Sequence, residues 1–241
     1  MIWRGIILVA IVTFAGPVAA QEVTLSLGED GSLATRSIQL LVLITLLSLV
    51  PGLLIMVTCF PFMVTVFSIL RQAIGLQQSP PNMLIVTLAL FLTYFVMEPV
   101  FIEAWETGVS PMLNNGVPVE EAFPATMAPF RVFMTGRVAA DTFEALATLR
   151  PDIDPAMAVS EAPLSILVPS FLLSEVSRAF EVGFIIFLPF LIIDLIVAAI
   201  LMSMGMMMVP PAIVSLPFKL AFFVVADGWA LISGSLVQSY F

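Results

Sequence analysis

Two adjacent prolines, Pro210 and Pro211, interrupt a run of apolar residues that is long enough to cross a membrane. Each proline lacks a backbone N–H donor, and its ring clashes with the preceding turn, so a helix cannot run through the pair. Pro210 also disfavours the helical conformation at Val209. The sequence therefore predicts a break between two apolar helices, with Gly205 and the two prolines in the connecting loop.

A cluster of methionines lies immediately before this break, where five of the seven residues 202–208 are methionine. Thioether side chains are flexible, so ordinary core filling is one interpretation. A Cu(I) site is disfavoured because the segment lacks flanking His, Cys or polar ligands. We favour a pore seal, because an apolar constriction excludes ions by dewetting and can repack around a larger passenger. The residues expected to form this seal are Met204, Met206, Met207 and Met208.

The composition is that of a membrane protein. Of the 241 residues, 61% are hydrophobic and 10% are charged, which is less than half the charged fraction of an average soluble domain. The net charge of −9 argues against nucleic acid as a partner, since binding it needs Lys and Arg opposite the phosphates. With no histidine and one cysteine, a histidine-based triad, a Cys/His zinc site and an intramolecular disulfide are excluded. We expect no catalytic residues, no cofactor and no metal.

Residues 1–20 have the pattern of a secretory signal peptide, with Arg4 before a short apolar segment and the small residues Val18-Ala19-Ala20 at its end. An uncleaved anchor is disfavoured because the apolar segment is too short to span a hydrocarbon core of about 30 Å comfortably. Cleavage leaves residues 21–37 as a poorly ordered lead-in on the periplasmic side of the bacterial inner membrane.

Two stretches, 38–101 and 163–241, have the apolar character of helical hairpins, and prolines interrupt both of them. In each hairpin a glycine, Gly75 or Gly205, precedes a Pro-Pro pair by five residues. Two interpretations of this repeat are equally supported: duplication of one hairpin, as in other transport folds, and coincidence. The predicted fold class is all-α and membrane-associated, with two long proline-broken hairpins.

Residues 102–162 form a polar insert between the hairpins, with nine acidic residues, three arginines and six prolines that divide it into short pieces. Its best helix is expected within 128–149, where apolar residues recur at helical spacing. Because cytoplasmic loops are enriched in Lys and Arg, we predict that the insert is periplasmic, with a cytoplasmic loop as the alternative.

Three charged residues in the second hairpin, Glu175, Arg178 and Glu181, follow one another at i, i+3 spacing. They share one face of a helix and can pair along it. In lipid the three charges would cost some 8–10 kcal/mol together, so this face is expected to meet protein or the membrane interface.

Asp194 stands alone among apolar residues, and a lone intramembrane Asp is either a functional site or a satisfied structural carboxylate. We favour the structural role, with Lys219 or a neighbouring subunit as the partner. Asp227, in the sequence Asp-Gly-Trp, breaks the last apolar run. It is the only acid available as a second catalytic Asp, and it lacks the motif of an intramembrane protease.

Several motifs together resemble the FliP family of flagellar export-gate proteins. Residues 202–211 read M-S-M-G-M-M-M-V-P-P, and F-L-P-F-L-I-I-D-L precedes them while L-P-F-K-L and D-G-W follow. The other matching segments are 80–82, 89–93, 97–100, 163–175, 179–184 and 234–236. The resemblance covers most of the chain after residue 37.

The resemblance implies a core subunit of the flagellar type III secretion export gate. FliP-like chains assemble into a helical ring, a pentamer in the family, together with FliQ-like and FliR-like subunits, and FlhB-like and FlhA-like export components are further expected partners. Such a gate passes unfolded flagellar proteins across the inner membrane. The family's methionine loop maps onto residues 206–208, with Met204 adjacent.

A different class of function also fits the residues alone: a secondary transporter or small-solute channel that couples an ion through Asp194. In a transporter the methionines would contribute to substrate binding, whereas in a wide pore they would keep small ions out.

Overall fold

A computed structural model describes the chain from residue 33 onward, apart from residues 77, 78 and 155. The predicted signal peptide, 1–20, and the lead-in as far as residue 32 lie outside the described residues. The α-helices in chain order are α1 (Leu33–Met56), α2 (Phe60–Ile74), α3 (Asn82–Ala104), α4 (Ser110–Asn115), α5 (Val119–Thr135), α6 (Ala140–Ala147), α7 (Leu164–Ser203), α8 (Pro211–Val225) and α9 (Gly228–Gln238). The described residues contain no strand, so the predicted all-α class is confirmed.

The chain divides into two compact units, Met1–Ser48 and Leu49–Phe241. In the first unit the described residues belong to α1, and its large apolar side chains, such as Leu41 and Leu47, are exposed. Because α1 begins at Leu33, the last residues of the predicted lead-in are helical.

The core of the second unit is centred on α2, which packs against both α3 and α7. Phe62, Phe67 and Leu70 of α2 are fully buried in it, and burial of each such side chain contributes about 1.5–3 kcal/mol. Gly183 of α7 permits a close approach, because a Cβ at this position would lie 2.4 Å from the Cδ1 atom of Ile69. The two predicted hairpins are therefore joined through α2 and α7.

Two helical segments among the described residues are long and apolar enough to cross a membrane. They are Asn82–Asn115 and Leu164–Ser203, with mean hydropathies of 2.1 and 3.0. Two further candidates are pairs of shorter helices, of which α8 and α9 are bent by 60° at the break between them. At 40 residues α7 is about 60 Å long, twice the thickness of a hydrocarbon core of about 30 Å.

The break in the first hairpin lies between α1 and α2, beside Pro61. Pro51 is inside α1, and the helix continues to Met56. The break falls just before Phe60, where Thr58 donates its hydroxyl to the Ile55 carbonyl at 2.9 Å. Pro61 occupies the first turn of α2, a position at which its missing N–H has no helical partner to lose.

The insert also differs from the expectation. The helix predicted within 128–149 is two helices, α5 and α6, and the chain between them is non-helical at Val138 and Ala139. Pro124 and Pro129 lie inside α5 and do not divide it. A small second core, which includes Phe143 and residues at the start of α7, holds α6 in place.

Both hairpin turns begin with the same backbone conformation. Each begins with a glycine at positive φ, 89° at Gly75 and 74° at Gly205, where a residue with a Cβ is strained. Each glycine donates its N–H to the carbonyl three residues earlier, at 3.0 Å in both turns. Each turn ends in an extended proline, Pro81 or Pro210, directly before the next helix. The repeat in spacing is thus matched by the conformation of the glycine, whereas the ends of the turns differ: the second proline of the first pair precedes α3, and the first proline of the second pair precedes α8.

Replacement of Gly108 by alanine is expected to destabilise the insert. Gly108 lies in a π-helical turn after α3, and an added Cβ would lie 2.6 Å from the backbone nitrogen of Thr126 and 2.7 Å from its Cα. Because backbone cannot swing aside, α5 must shift, and overpacking of this kind costs about 1–3 kcal/mol. Thermal unfolding of the detergent-solubilised chain measures this loss.

The matched control is Gly234→Ala in α9, where an added Cβ meets nothing within 4 Å. Its unfolding temperature is expected to stay close to that of the unchanged protein. Equal unfolding temperatures for the two variants would show that the contact at Gly108 does not constrain the insert.

Candidate functional site

The turn between α7 and α8 closes α7 with a Schellman motif. Gly205 donates its N–H to the Met202 carbonyl at 3.0 Å, and Met206 donates to the Leu201 carbonyl at 2.9 Å. These are the two hydrogen bonds of that motif, which needs a residue at positive φ and therefore favours glycine. The motif usually includes an apolar contact between the residues of the longer bond, and both Met206 and Leu201 line the same groove.

The four methionines of the predicted seal are exposed on the chain. Met207 is 83% exposed and Met208 is 98% exposed, and Met204 and Met206 are also largely accessible. Met63 and Met97, in contrast, are fully buried in the core. The methionines at the turn are therefore not core filling within this chain.

An apolar groove of about 470 Å³ runs beside the methionine turn, between the end of α7 and the beginning of α8. No charged side chain lines it. Its lining residues are Ile193, Ile196, Val197, Ile200, Leu201, Met204, Met206, Val214 and Phe218. The groove and the four methionines lie at the same end of the hairpin, which we call the hairpin tip (residues 195–218).

Asp194 lies at the base of the hairpin tip and is fully engaged. Its Oδ2 atom pairs with the Nζ atom of Lys219 at 2.6 Å, and its Oδ1 atom accepts a hydrogen bond of 2.5 Å from the hydroxyl of Ser215. This is the structural role that the sequence analysis favours, with Lys219 as the partner. No oxygen of Asp194 is left without a partner for ion coupling.

Lys219 also binds the first hairpin. Its buried Nζ atom donates to the carbonyl of Ala73 at 3.1 Å. Ala73 belongs to the last turn of α2, where the carbonyls lack helical partners and carry the negative end of the helix dipole. One ammonium group therefore satisfies the Asp194 carboxylate and the end of α2 at once.

Glu175 has a closer ion pair with the insert than with its own helix, although the i, i+3 pair with Arg178 is also present. It is completely buried, and its Oε1 atom accepts a hydrogen bond of 3.0 Å from the Nε atom of Arg137 in the insert. Arg178 lies 4.0 Å from the same carboxylate, and its side chain is half-exposed. Glu181 is exposed, so the three charges do not act as one row.

The remaining charged residue of the prediction, Asp227, lies in the bend between α8 and α9. It is exposed and has a φ of 48°, an uncommon conformation for a residue other than glycine. The partners of Asp194 are Lys219 and Ser215, so the described contacts do not bring the two aspartates together as a catalytic pair.

Sequence reasoning did not identify Arg137 and Ser215 as site residues. Arg137 is 38 positions from Glu175, so no helical spacing connects them. Ser215 follows the prolines by one turn and is completely buried. A weak signal was available for the serine, because a lone polar residue four positions before Lys219 lies on the same face of a helix.

Apolar helices of membrane-spanning length, packed together through the buried contacts of Glu175 and Lys219, define a helical membrane protein. The sequence model of the FliP family matches residues 43–236, which is most of the chain. This chain belongs to the FliP family and is a component of the flagellar protein export apparatus.

Relatives named flagellar biosynthetic protein FliP agree with this membership. One from Caulobacter vibrioides is 48% identical over 226 residues, which cover 94% of this chain and 85% of the relative. One from Rhizobium meliloti is 44% identical, with 97% of each chain covered. A third, from Bacillus subtilis, is 42% identical over 88% of this chain and 96% of the relative.

Loss of one partner of the Asp194–Lys219 pair is expected to destabilise the chain. Asp194→Asn leaves the buried Lys219 ammonium without its counter-charge. Removing one partner of a fully buried pair costs about 3–5 kcal/mol, and because the Asp194 side chain is 34% exposed we expect a smaller loss of about 2 kcal/mol. Denaturant unfolding of the detergent-solubilised chain measures the difference.

The double variant Asp194→Asn with Lys219→Met removes both charges, and we expect it to recover part of the lost stability. The control is Asp227→Asn, which removes an exposed acid. Additive losses in the double variant would contradict a direct interaction between the two side chains.

Proposed function

We propose that the hairpin tip, residues 195–218, is the gate of an export channel and that Met204, Met206, Met207 and Met208 seal it. Copies of this chain assemble with FliQ-like and FliR-like subunits around the channel, in the pentameric arrangement that the family resemblance implies. Unfolded flagellar proteins are the passengers. The chain forms a conduit and has no catalytic role, cofactor or metal.

The observation that carries this proposal is the exposure of the methionines. A fully exposed Met208 leaves most of its apolar surface uncovered, and full burial of a Met side chain contributes about 1.5–3 kcal/mol. Single exposed apolar residues are ordinary, but a continuous apolar surface at the end of a hairpin marks a site of contact. Contact between the tips of several copies covers this surface and leaves thioethers around a central axis.

Lys219 contacts both Ala73 and Asp194, and we call this set of contacts the Lys219 node. It explains why the hairpin tip extends beyond the end of α2. Lys219 holds the end of α2 against the middle of the second hairpin, next to Asp194. From Asp194 to the end of α7 at Ser203 there are nine further residues, about 13 Å of helix. In this part of the hairpin the large side chains of Ile200, Ile213 and other residues are exposed, because the first hairpin does not cover them.

A ring of thioethers has the physical properties of a closed gate for proteins. The methionine side chain has three rotatable bonds, so neighbouring chains can fill the axis without a fixed geometry. An apolar constriction loses its water and blocks ions. The same side chains can move apart for an extended polypeptide and close again behind it.

The transporter hypothesis is not supported. Ion coupling through Asp194 requires a carboxylate that can exchange its partner. Both of its oxygens are engaged, one by Lys219 and one by Ser215.

The proposed location is the bacterial inner membrane at the flagellar basal body, with residues 102–162 on the periplasmic side. The insert carries a large excess of acids over basic residues, which is the opposite of the cytoplasmic loop pattern. FlhB-like and FlhA-like export components are the further partners on the cytoplasmic side.

Removal of the thioethers from the turn is expected to make the closed channel leak. In the assembled complex, alanine at Met206, Met207 and Met208 together removes the side chains that fill the axis. We expect the membrane potential of cells that carry this variant to fall, and the uptake of small ions into vesicles to rise at least about tenfold, because dewetting needs a narrow apolar constriction. A potential-sensitive dye and vesicle flux measure these effects.

The matched control is Met83→Ala. Met83 follows the Pro-Pro pair of the first hairpin turn and is as exposed as Met207, but it lies in the other turn. We expect no leak from it. A tight membrane in the triple variant, with the complex assembled, would refute the seal and favour a purely structural role for the chain.

A further inference from the structure

The last three residues of the sequence contact every major part of the second unit. Tyr240 donates its phenolic hydrogen to the Oε2 atom of Glu175 in α7. The Ser239 carbonyl accepts a hydrogen bond of 3.0 Å from the Nη1 atom of Arg137, which belongs to the insert. The Phe241 ring lies 6.5 Å from that of Phe95 in α3.

Arg137 is held on three sides. Its Nε atom donates to Glu175, its Nη1 atom donates to Ser239, and its guanidinium carbon lies 4.0 Å from the centroid of the Tyr240 ring. A cation over an aromatic ring is attracted by the ring quadrupole, most strongly when water is excluded. The Arg137 side chain is only 14% exposed. Residues 239–240 therefore add a hydrogen bond and an aromatic ring to the partners of Arg137, whose Nη2 atom is buried without a hydrogen-bond partner.

The Tyr240 ring also joins apolar side chains from two other elements. It stacks on Phe133 of α5, with the ring planes 14° apart and the centroids 6.0 Å apart. It meets Phe62 of α2 edge to face at 5.7 Å. Aromatic pairs of this kind contribute beyond the area that they bury. The insert, the first hairpin and the second hairpin thus meet at one side chain.

We propose that residues 239–241 form a strap that fixes the insert, residues 102–162, to the two hairpins through Arg137, Glu175 and Tyr240. The position of the insert then depends on residues 239–241. The second hairpin therefore carries the methionine turn and also holds the insert in place. The chain adopts its complete packing only after residues 239–241 reach this node. The proposal does not depend on the passenger of the gate or on the methionine seal.

The Arg137–Val138 peptide bond offers a direct test, because it lies in the non-helical segment beside the node and trypsin cuts after arginine. In the detergent-solubilised full chain we expect this bond to be protected. Deletion of residues 239–241, and Tyr240→Ala, are expected to raise the rate of cleavage at this bond more than about tenfold, because each removes the Tyr240 ring together with a hydrogen bond to a charged group, and the loss of that bond alone corresponds to about tenfold. Mass spectrometry of the fragments identifies the bond.

The conservative variant Tyr240→Phe keeps both ring contacts and loses only the bond to Glu175. It is expected to give a cleavage rate between those of the unchanged chain and Tyr240→Ala. The matched control is Tyr94→Phe, which removes the hydroxyl of the other tyrosine, an exposed residue of α3. This control is expected to leave the cleavage rate unchanged.

The Arg178–Ala179 bond, in the middle of α7, separates a local release from general unfolding. Selective cleavage after Arg137 supports the strap. Equal acceleration at both bonds would mean that residues 239–241 stabilise the whole fold and do not act as a strap, and protection of Arg137 in the deletion variant would overturn the proposal. If the deletion variant does not fold, the cleavage rate after Arg137 in Tyr240→Phe still tests the proposal.

Discussion

One ammonium group, that of Lys219, sets the relation between the two hairpins. It donates to the Ala73 carbonyl at the end of α2 and pairs with Asp194 of α7, and each of these groups would be costly to bury alone. The cation contacts both partners only when α2, α7 and α8 are together, so it links the three helices. The close packing at Gly183 then brings α2 and α7 into contact along their length.

The hairpin tip is a consequence of this arrangement. Helix α2 ends beside Lys219, and large side chains of α7 and α8 farther along the hairpin, such as Ile200 and Ile213, are exposed. The Schellman motif at Gly205 closes α7 without a side-chain cap, and this leaves the methionines free to face outward. A surface of this kind is stable when other chains cover it, which fits a component of the flagellar export apparatus.

Two sets of polar contacts, one around Lys219 and one around Glu175, both join separate elements of the chain. The sequence pointed to the first set and not to the second. Lys219 and Ser215 lie one turn apart, so helical spacing brings them to one face, and the sequence analysis could name Lys219 as a partner of Asp194. Arg137 and Glu175 come from an acidic insert and an apolar helix that only the folded chain brings together. Helical spacing along α7 predicted that Glu175 can pair with Arg178, and this pair is present at 4.0 Å, but spacing could not predict the closer pair with Arg137 at 3.0 Å.

The sequence by itself determined the class of the protein, the two hairpins and the break at Pro210 and Pro211, because these follow from composition and from the covalent geometry of proline. It also pointed to the methionines at the break. Only the tertiary structure decided which charges meet, where the first hairpin bends and that the predicted helix of 128–149 is two helices. Which charged residues pair, and where a helix bends, depend on neighbours that are distant in the chain. The periodicity of the local sequence does not identify those neighbours.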